Sequence, residues 1–180
     1  IDGEDAKDFD DAVYCTKEKD HYKLYVAIAD VSFYVDEDSY LDKIALANSF
    51  SIYLDQSIPM LPNELSDDLC SLKPNVNRMA VVCEIVINQN GIVKSYKFYE
   101  SIIKSKKRFT YDEVNRIIKN NFESDSDFKF LLKSLHELSL KLNIERVNNG
   151  ALLFNHSKDF FSAERVIEEL MLIANKSVAI

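Results

Sequence analysis

Apolar and polar positions in the first part of the chain follow a two-residue period over two short stretches. Ala12–Thr16 and Tyr22–Ala29 are rich in aromatic and small apolar residues, and the alternation with polar residues is only partly amphipathic. The segment Glu18–His21 between them is polar and has the composition of a turn. The pattern predicts two strands joined as an antiparallel hairpin.

A stronger pattern predicts a second hairpin in the middle of the chain. Met79–Asn88 is strongly apolar and β-branched, as expected of a buried strand. Gln89–Gly91 supplies a tight turn, and Ile92–Ser105 returns as the partner strand. A further short apolar strand is predicted for Ala151–Phe154.

Four helices are predicted from apolar residues that recur at three- and four-residue steps. They cover Ser39–Asn48, Asp112–Asn121, Ser126–Asn148 and Ala163–Ile180, and Gly150 is suited to a left-handed cap after the third. The fold class we expect is therefore α+β. It consists of an antiparallel sheet or partial barrel with hairpins in the first half, packed by helices mainly in the second half.

Composition narrows the setting of the protein. The 180 residues, 47% of them hydrophobic, fit one domain with an ample core, and the net charge of −8 disfavours a general nucleic-acid coating role. No apolar run is long enough to span a membrane and no secretory signal is seen, which predicts no membrane partner. Cys15, Cys70 and Cys83 lie far apart without metal-ligand spacing, so we expect reduced, buried thiols and a cytoplasmic protein.

The first eleven residues contain six carboxylates and one lysine. Such a run is often a solvated loop. An EF-hand calcium loop is the second alternative, but counting from Asp8 its glycine and glutamate positions hold Val13 and Lys19. The third alternative is a magnesium site, because crowded carboxylates repel one another unless a cation neutralises them.

A shared metal site would place a demand on the backbone. In a regular strand Asp8 and Asp10 point to one side and Asp11 to the other, so these side chains and Asp2 can face one ion only from an irregular segment. Carboxylates that converge on Mg²⁺ are typical of phosphate chemistry.

The chain resembles the ribonuclease II / ribonuclease R family, or RNB catalytic domain, and its ribonuclease R branch in particular. The likeness begins with Ile1–Tyr14 and continues in the same order through further short motifs. These are Val26–Ser32, Ser51–Tyr53, Ile58–Pro62, Leu69–Leu72, Asn77–Arg78, Ser105–Tyr111 and Glu168–Asn175.

The resemblance implies a processive 3′→5′ exoribonuclease that hydrolyses single-stranded RNA to nucleoside 5′-monophosphates with Mg²⁺, or Mn²⁺ in its place. By this likeness Asp2, Asp8 and Asp11 are metal-organising aspartates, and Asp10 is the aspartate tied most closely to the chemical step. The likeness also implies flanking RNA-binding domains of the cold-shock and S1 types, and we expect a monomer.

The resemblance implies an RNA path as well. Tyr53 and Tyr111 resemble aromatic residues along it, Phe154 one that clamps the terminal bases, and Glu168 a contact to the terminal nucleotide. Aromatic faces stack on bases without sequence preference. Lys107 and Arg108, in the one dense basic run, are candidate phosphate contacts, with a solvated strand end as the equal alternative.

The chain also departs from the family pattern. A later arginine-rich motif is absent, and the spacing between Phe154 and Glu168 is short. We therefore interpret residues 1–180 as the N-terminal part of a catalytic domain that is inactive alone. A non-catalytic RNA-binding module and a purely structural metal-binding fold are the alternatives. Two minor expectations are that the three histidines face solvent, and that four phenylalanines belong to the core: Phe9, Phe33, Phe98 and Phe109.

Overall fold

The computed structural model of the chain describes residues 1–53, 57–123, 127–152 and 162–179, with only the backbone of Tyr53 and Ser57. Six strands lie within these residues: β1 Asp11–Lys17, β2 His21–Ala29, β3 Ile52–Tyr53, β4 Ser57–Ile58, β5 Asn77–Asn88 and β6 Val93–Lys104. The four long strands form an open antiparallel sheet in the order β1-β2-β5-β6, and β3 pairs with β4.

The helices follow mostly in the second half of the chain, which confirms the α+β prediction. They are α1 Tyr40–Asn48, α2 Tyr111–Lys119, α3 Lys129–Asn148 and α4 Ala163–Val178. A short 3₁₀ helix spans Val31–Phe33, and a short π-helix spans Leu65–Leu69. None of the helices in the described part of the chain is long and apolar enough to cross a bilayer.

Local signals in the sequence explain where these elements begin and end. The Ser39 hydroxyl accepts from the Asp42 amide at 3.1 Å and caps α1. Thr110 and Glu113 cap α2 reciprocally, each side chain accepting from the other's backbone amide. Gly150 ends the α3 region with φ +88°, which confirms the predicted left-handed cap.

Both predicted hairpins are confirmed. In the first, Cys15 lies opposite Leu24 across β1 and β2. In the second, Gly91 turns the chain between β5 and β6 with φ +83°. The predicted strand at Ala151–Phe154 is not seen at residues 151–152, and its remaining residues lie outside the described part.

The sheet separates two apolar cores because successive strand residues point to opposite faces. On one face α3 and α4 bury Leu24, Val26, Ile85, Leu138 and Leu170 completely. The opposite face carries a second core beneath the irregular segments between β2 and β5, with Ala27, Leu65, Leu72 and Val82 among its members. The three cysteines are free and buried, as predicted.

Two predictions about core residues are wrong. Phe33 is 58% exposed and Phe98 is 39% exposed, whereas Phe109 is buried as predicted. Phe98 lies on β6, an edge strand whose residues are largely open to solvent in this chain. The prediction that all three histidines face solvent is also wrong for His136, which is half-buried with the centre of its ring 5.5 Å from that of Phe122.

Candidate active site

The acidic segment begins as an extra strand-like pairing at the start of the chain. The Asp2 amide donates to the Phe109 carbonyl at 3.1 Å, and the Tyr111 amide donates to the Asp2 carbonyl at 3.1 Å. These two bonds form a parallel bridge between Asp2 and Thr110. The motif that ends in Tyr111 is thereby held directly beside the first aspartate.

The rest of the segment is irregular and is held by side-chain and backbone contacts from two other motifs. The Phe9 amide donates to Ser71 Oγ at 3.0 Å, and the same hydroxyl donates to the Lys7 carbonyl at 2.7 Å. The Ala29 amide at the end of β2 donates to the Asp10 carbonyl at 2.8 Å. The predicted irregular backbone beside a strand is confirmed.

Arg108 lies against the acidic segment. Its guanidinium donates to the carbonyls of Gly3 and Glu4, the second at 2.7 Å, and lies 5.5 Å from the centre of the Phe9 ring. Nη2 is thus bonded to protein backbone, unlike a side chain at a solvated strand end, and the phosphate contact of Arg108 stays a prediction. Lys107 is exposed, and its ammonium nitrogen lies 4.5 Å from the centre of the Phe109 ring.

The aspartates of the acidic segment influence the ionisation of two of its members, Asp10 and Asp11. Burial of the carboxyl group, and then the charges of Asp8 and Asp2, raise the pKa of Asp10, although the residue as a whole is exposed. Burial also raises the pKa of Asp11, and the charges of Asp2 and Asp10 add to this effect. The segment therefore concentrates negative charge in partly desolvated surroundings.

These residues suit a divalent cation in their chemistry. Within residues 1–53, 57–123, 127–152 and 162–179, no three His, Cys, Asp or Glu side chains are grouped tightly enough to hold a metal ion as they stand. However, Asp11 Oδ2 is buried and has no hydrogen-bond partner among the described residues. A buried carboxylate oxygen without a donor, next to like charges, is what a hard cation would satisfy.

The start of α4 also approaches this site, which the sequence did not predict. Burial raises the pKa of the Tyr111 hydroxyl, and the charges of Asp2, Asp11 and Glu164 add to the shift. Asn115 on α2 accepts from the first amide of α4 at 2.7 Å and donates to Glu164 Oε2 at 3.4 Å. Burial disfavours the charged form of Glu164, but its own backbone amide, Ser162 and Asn115 together lower its pKa.

Two adjacent glutamates of α4 have very different surroundings. The side chain of Glu168, the predicted RNA contact, is 46% exposed and pairs with Arg165 at 2.8 Å. Glu169 is 2% exposed and accepts from Arg146 at 2.5 Å and from Asn143 at 2.7 Å. Glu168 is thus partly open to solvent beside Arg165, and Glu169 joins α4 to α3.

Two predicted RNA contacts, Tyr53 and Phe154, lie partly or wholly outside the described residues. The backbone of Tyr53 lies in the short β3–β4 hairpin, and its side chain is outside the described part. Phe154 lies wholly outside the described residues.

A cleft of about 760 Å³ runs beside the acidic segment. Its lining includes carboxylates, tyrosines from three strands and several lysines, among them Asp2, Asp11, Tyr14, Tyr25, Tyr99, Lys104, Lys106 and Lys107. Aromatic faces beside ammonium groups are the combination that holds a single nucleic-acid strand.

Comparison with known proteins places this architecture in a family. The model of the RNB domain family matches residues 1–180. Ribonuclease R of Vibrio parahaemolyticus is 46% identical over 94% of this chain and 21% of its own length. Ribonuclease R of Escherichia coli strain K12 is 41% identical over 99% of this chain and 25% of its own length. The chain thus spans about a quarter of the length of these relatives.

Solved structures agree with the sequence relatives. Mycoplasma genitalium RNase R, in complex with ribose methylated single-stranded RNA, superposes with a TM-score of 0.91 at 37% identity, over 99% of this chain and 31% of that one. Yeast Ssd1, a pseudonuclease, superposes with a TM-score of 0.76 at 18% identity, over 94% of this chain and 23% of that one. The second likeness concerns the fold alone, and a fold does not by itself imply an activity.

The family follows from the extent of the agreement. The family model covers residues 1–180, and the two ribonuclease R relatives align with nearly all of the chain at identities above 40%. The chain belongs to the RNB domain family.

Proposed function

We propose that residues 1–180 are part of an RNB catalytic domain that continues beyond them. The protein that contains them is then a processive 3′→5′ exoribonuclease that hydrolyses single-stranded RNA to nucleoside 5′-monophosphates. The observation that carries the proposal is the acidic segment with Asp2, Asp8, Asp10 and Asp11, which three other family motifs hold in place. Relatives named ribonuclease R support it.

The aspartates have distinct parts in the proposed reaction. Asp2, Asp8 and Asp11 would hold Mg²⁺ or Mn²⁺, and the unsatisfied oxygen of Asp11 supports this assignment. The bound cation would polarise the scissile phosphate and favour ionisation of the attacking water. Asp10, which lies between Asp8 and Asp11 in the chain, would accept the proton of that water. The water oxygen bonds to phosphorus, and the bond from phosphorus to the 3′-oxygen breaks.

The proposed RNA contacts have two grounds, the surroundings of the site and the family likeness. Tyr111 lies beside Asp2 and is suited to stack against a base or to bond a sugar hydroxyl. We keep Tyr53, Phe154 and Glu168 as proposed contacts on the ground of the family likeness. Lys107 is the exposed cation of the basic run that can reach a phosphate.

Partners and location remain part of the proposal. Mycoplasma genitalium RNase R has been solved with single-stranded and with double-stranded RNA, which supports RNA as the ligand here. We propose flanking RNA-binding domains, a monomer and a cytoplasmic location. The three free cysteines are consistent with a reducing compartment.

The test is the replacement of Asp10 by Asn in the full-length protein. We expect loss of Mg²⁺-dependent nucleotide release from polyadenylate with retained RNA affinity, because the change removes a proton acceptor and leaves the RNA path intact. The matched control is Asp20→Asn, in the exposed turn between β1 and β2, which should behave as wild type.

Two outcomes would contradict the proposal. Undiminished cleavage by the Asp10 variant would remove this residue from the chemistry. A wild-type protein that binds RNA tightly and releases no nucleotides would favour the non-catalytic binding module. The isolated 180-residue chain should show little or no cleavage.

A further inference from the structure

The backbone around Asp8 and Asp10 has no regular element to hold it. Residues 6–10 lie outside every helix and strand, between the bridge at Asp2 and the start of β1. Because like charges repel, an unsupported segment of this kind would open and separate its carboxylates. Something must therefore oppose this repulsion before any cation binds.

Ser71 meets this need with a single hydroxyl group. It is completely buried, and its Oγ accepts from the Phe9 amide at 3.0 Å while donating to the Lys7 carbonyl at 2.7 Å. The two anchored peptide groups flank Asp8. The Leu72 amide donates to the Phe9 carbonyl at 2.8 Å, which anchors the chain again just before Asp10.

The serine is itself held from the sheet. Arg78, near the start of β5, donates from Nε to the Ser71 carbonyl at 3.0 Å. The same guanidinium pairs with Asp68 at 3.1 Å, and its side chain is only 14% exposed. The segment containing Ser71 therefore has a fixed position relative to the sheet.

We propose that Ser71 is the positioning residue of the acidic segment, and that Arg78 supports it. Its hydroxyl ties together the two peptide groups that flank Asp8 in the metal-free protein, so that this part of the acidic segment is held in place before a cation arrives. The inference rests on the proposed function for the identity of the ion. It assigns a role to two family motifs, Leu69–Leu72 and Asn77–Arg78, for which the sequence alone indicated none.

The test compares two equally conservative changes in the full-length protein. Ser71→Ala removes the bridging hydroxyl. Ser139→Ala is the matched control, because Ser139 is also buried and its hydroxyl donates to a backbone carbonyl, that of His136 on its own helix, at 2.8 Å. Removing partners that orient metal ligands weakens metal binding about 10- to 100-fold. We expect about a 10-fold loss of Mn²⁺ affinity by electron paramagnetic resonance for Ser71→Ala and none for Ser139→Ala.

A second measurement needs neither metal nor catalysis. In the metal-free protein the Phe9 amide should exchange its hydrogen at least about 10-fold faster in Ser71→Ala than in wild type, because that amide loses its acceptor. RNA affinity should be unchanged. If Ser71→Ala does not fold, as judged by circular dichroism, Ser71→Cys serves in its place, since a thiol has similar size and is a weaker donor.

The outcomes separate this inference from the proposed function. Unchanged Phe9 exchange together with unchanged Mn²⁺ affinity would overturn the inference, as would equal losses in the Ser139 control. Faster exchange and weaker Mn²⁺ binding in a protein whose wild type cleaves no RNA would support the positioning role while refuting the exoribonuclease.

Discussion

Replacing Glu169 by Gln should destabilise the fold strongly, while the same replacement at the adjacent Glu168 should not. Glu169 is 2% exposed, and its two oxygens accept from Arg146 at 2.5 and 3.1 Å and from Asn143 at 2.7 Å. A glutamine retains one acceptor and turns an NH₂ group toward donors, so at least one of these bonds is lost.

The size of the effect follows from burial. Breaking a buried ion pair by removing one partner costs about 3–5 kcal/mol. The Arg146 side chain is 28% exposed and can recover some hydration, so we expect the lower end, about 3 kcal/mol. For a domain of this size that is a fall in Tm of about 6–12 °C. Glu168 forms an exposed pair with Arg165, for which about 0.3–0.5 kcal/mol is typical.

Urea unfolding followed by circular dichroism near neutral pH measures both changes. A triple variant, Glu169→Leu with Arg146→Met and Asn143→Leu, should recover most of the loss because neither an unpaired charge nor an unpaired buried amide remains in the interface. Equal and small losses for Glu169→Gln and Glu168→Gln would refute the reasoning. In the full-length protein Glu168→Gln should instead weaken RNA binding, if this side chain contacts the strand as proposed.

Three further changes test other parts of the structure. Gly150→Ala should lower the free energy of unfolding by about 1–2 kcal/mol through its left-handed backbone alone, since no atom lies within 4 Å of the added Cβ. Gly91→Ala should lower it further in the same urea assay, because the added Cβ would lie 2.6 Å from the carbonyl oxygen of Lys141 in α3. Burial lowers the pKa of His136 from 6.5, so its stabilising contribution is present above that pH and is lost as the pH falls through the folded-state pKa. Unfolding of His136→Gln should thus depend less on pH below about 6.5, and an unchanged pH profile would contradict this. Burial raises the pKa of Cys15 to about 12 and that of Cys83 to about 11. In the native protein at mildly alkaline pH, mass spectrometry should therefore find neither thiol labelled by iodoacetamide. Labelling of either cysteine in the native protein would show that its thiol is not buried.

Local structure was predictable because its causes lie within a few residues. The turn at Gly91 needs a left-handed backbone that glycine adopts freely, and the apolar period of β5 identifies a buried strand on its own. The predicted starts of α2 and α3 were less accurate. The capping pair Thr110 and Glu113 starts α2 at Tyr111, one residue earlier than predicted, and α3 starts at Lys129, three residues later than predicted. The acidic segment was also found from sequence, because crowded carboxylates are an unusual pattern by themselves.

Partners distant in sequence were not predictable. Arg108 and Lys107 are neighbours in one basic run, but only Arg108 turns toward the backbone of Gly3 and Glu4, more than one hundred residues away in the chain. Phe98 has the apolar character of a core residue, and it is exposed because nothing in the described chain covers that part of β6.

The sequence by itself determined the two long hairpins, the four helices, the family and the set of candidate aspartates. Only the tertiary structure decided which of two adjacent glutamates is buried, and that Ser71 and Arg108 hold the acidic segment. The physical reason is that a helix turns by about 100° per residue, so neighbours such as Glu168 and Glu169 face different surroundings. Whether a charge meets water or a partner is then decided by residues that folding brings together from distant parts of the chain.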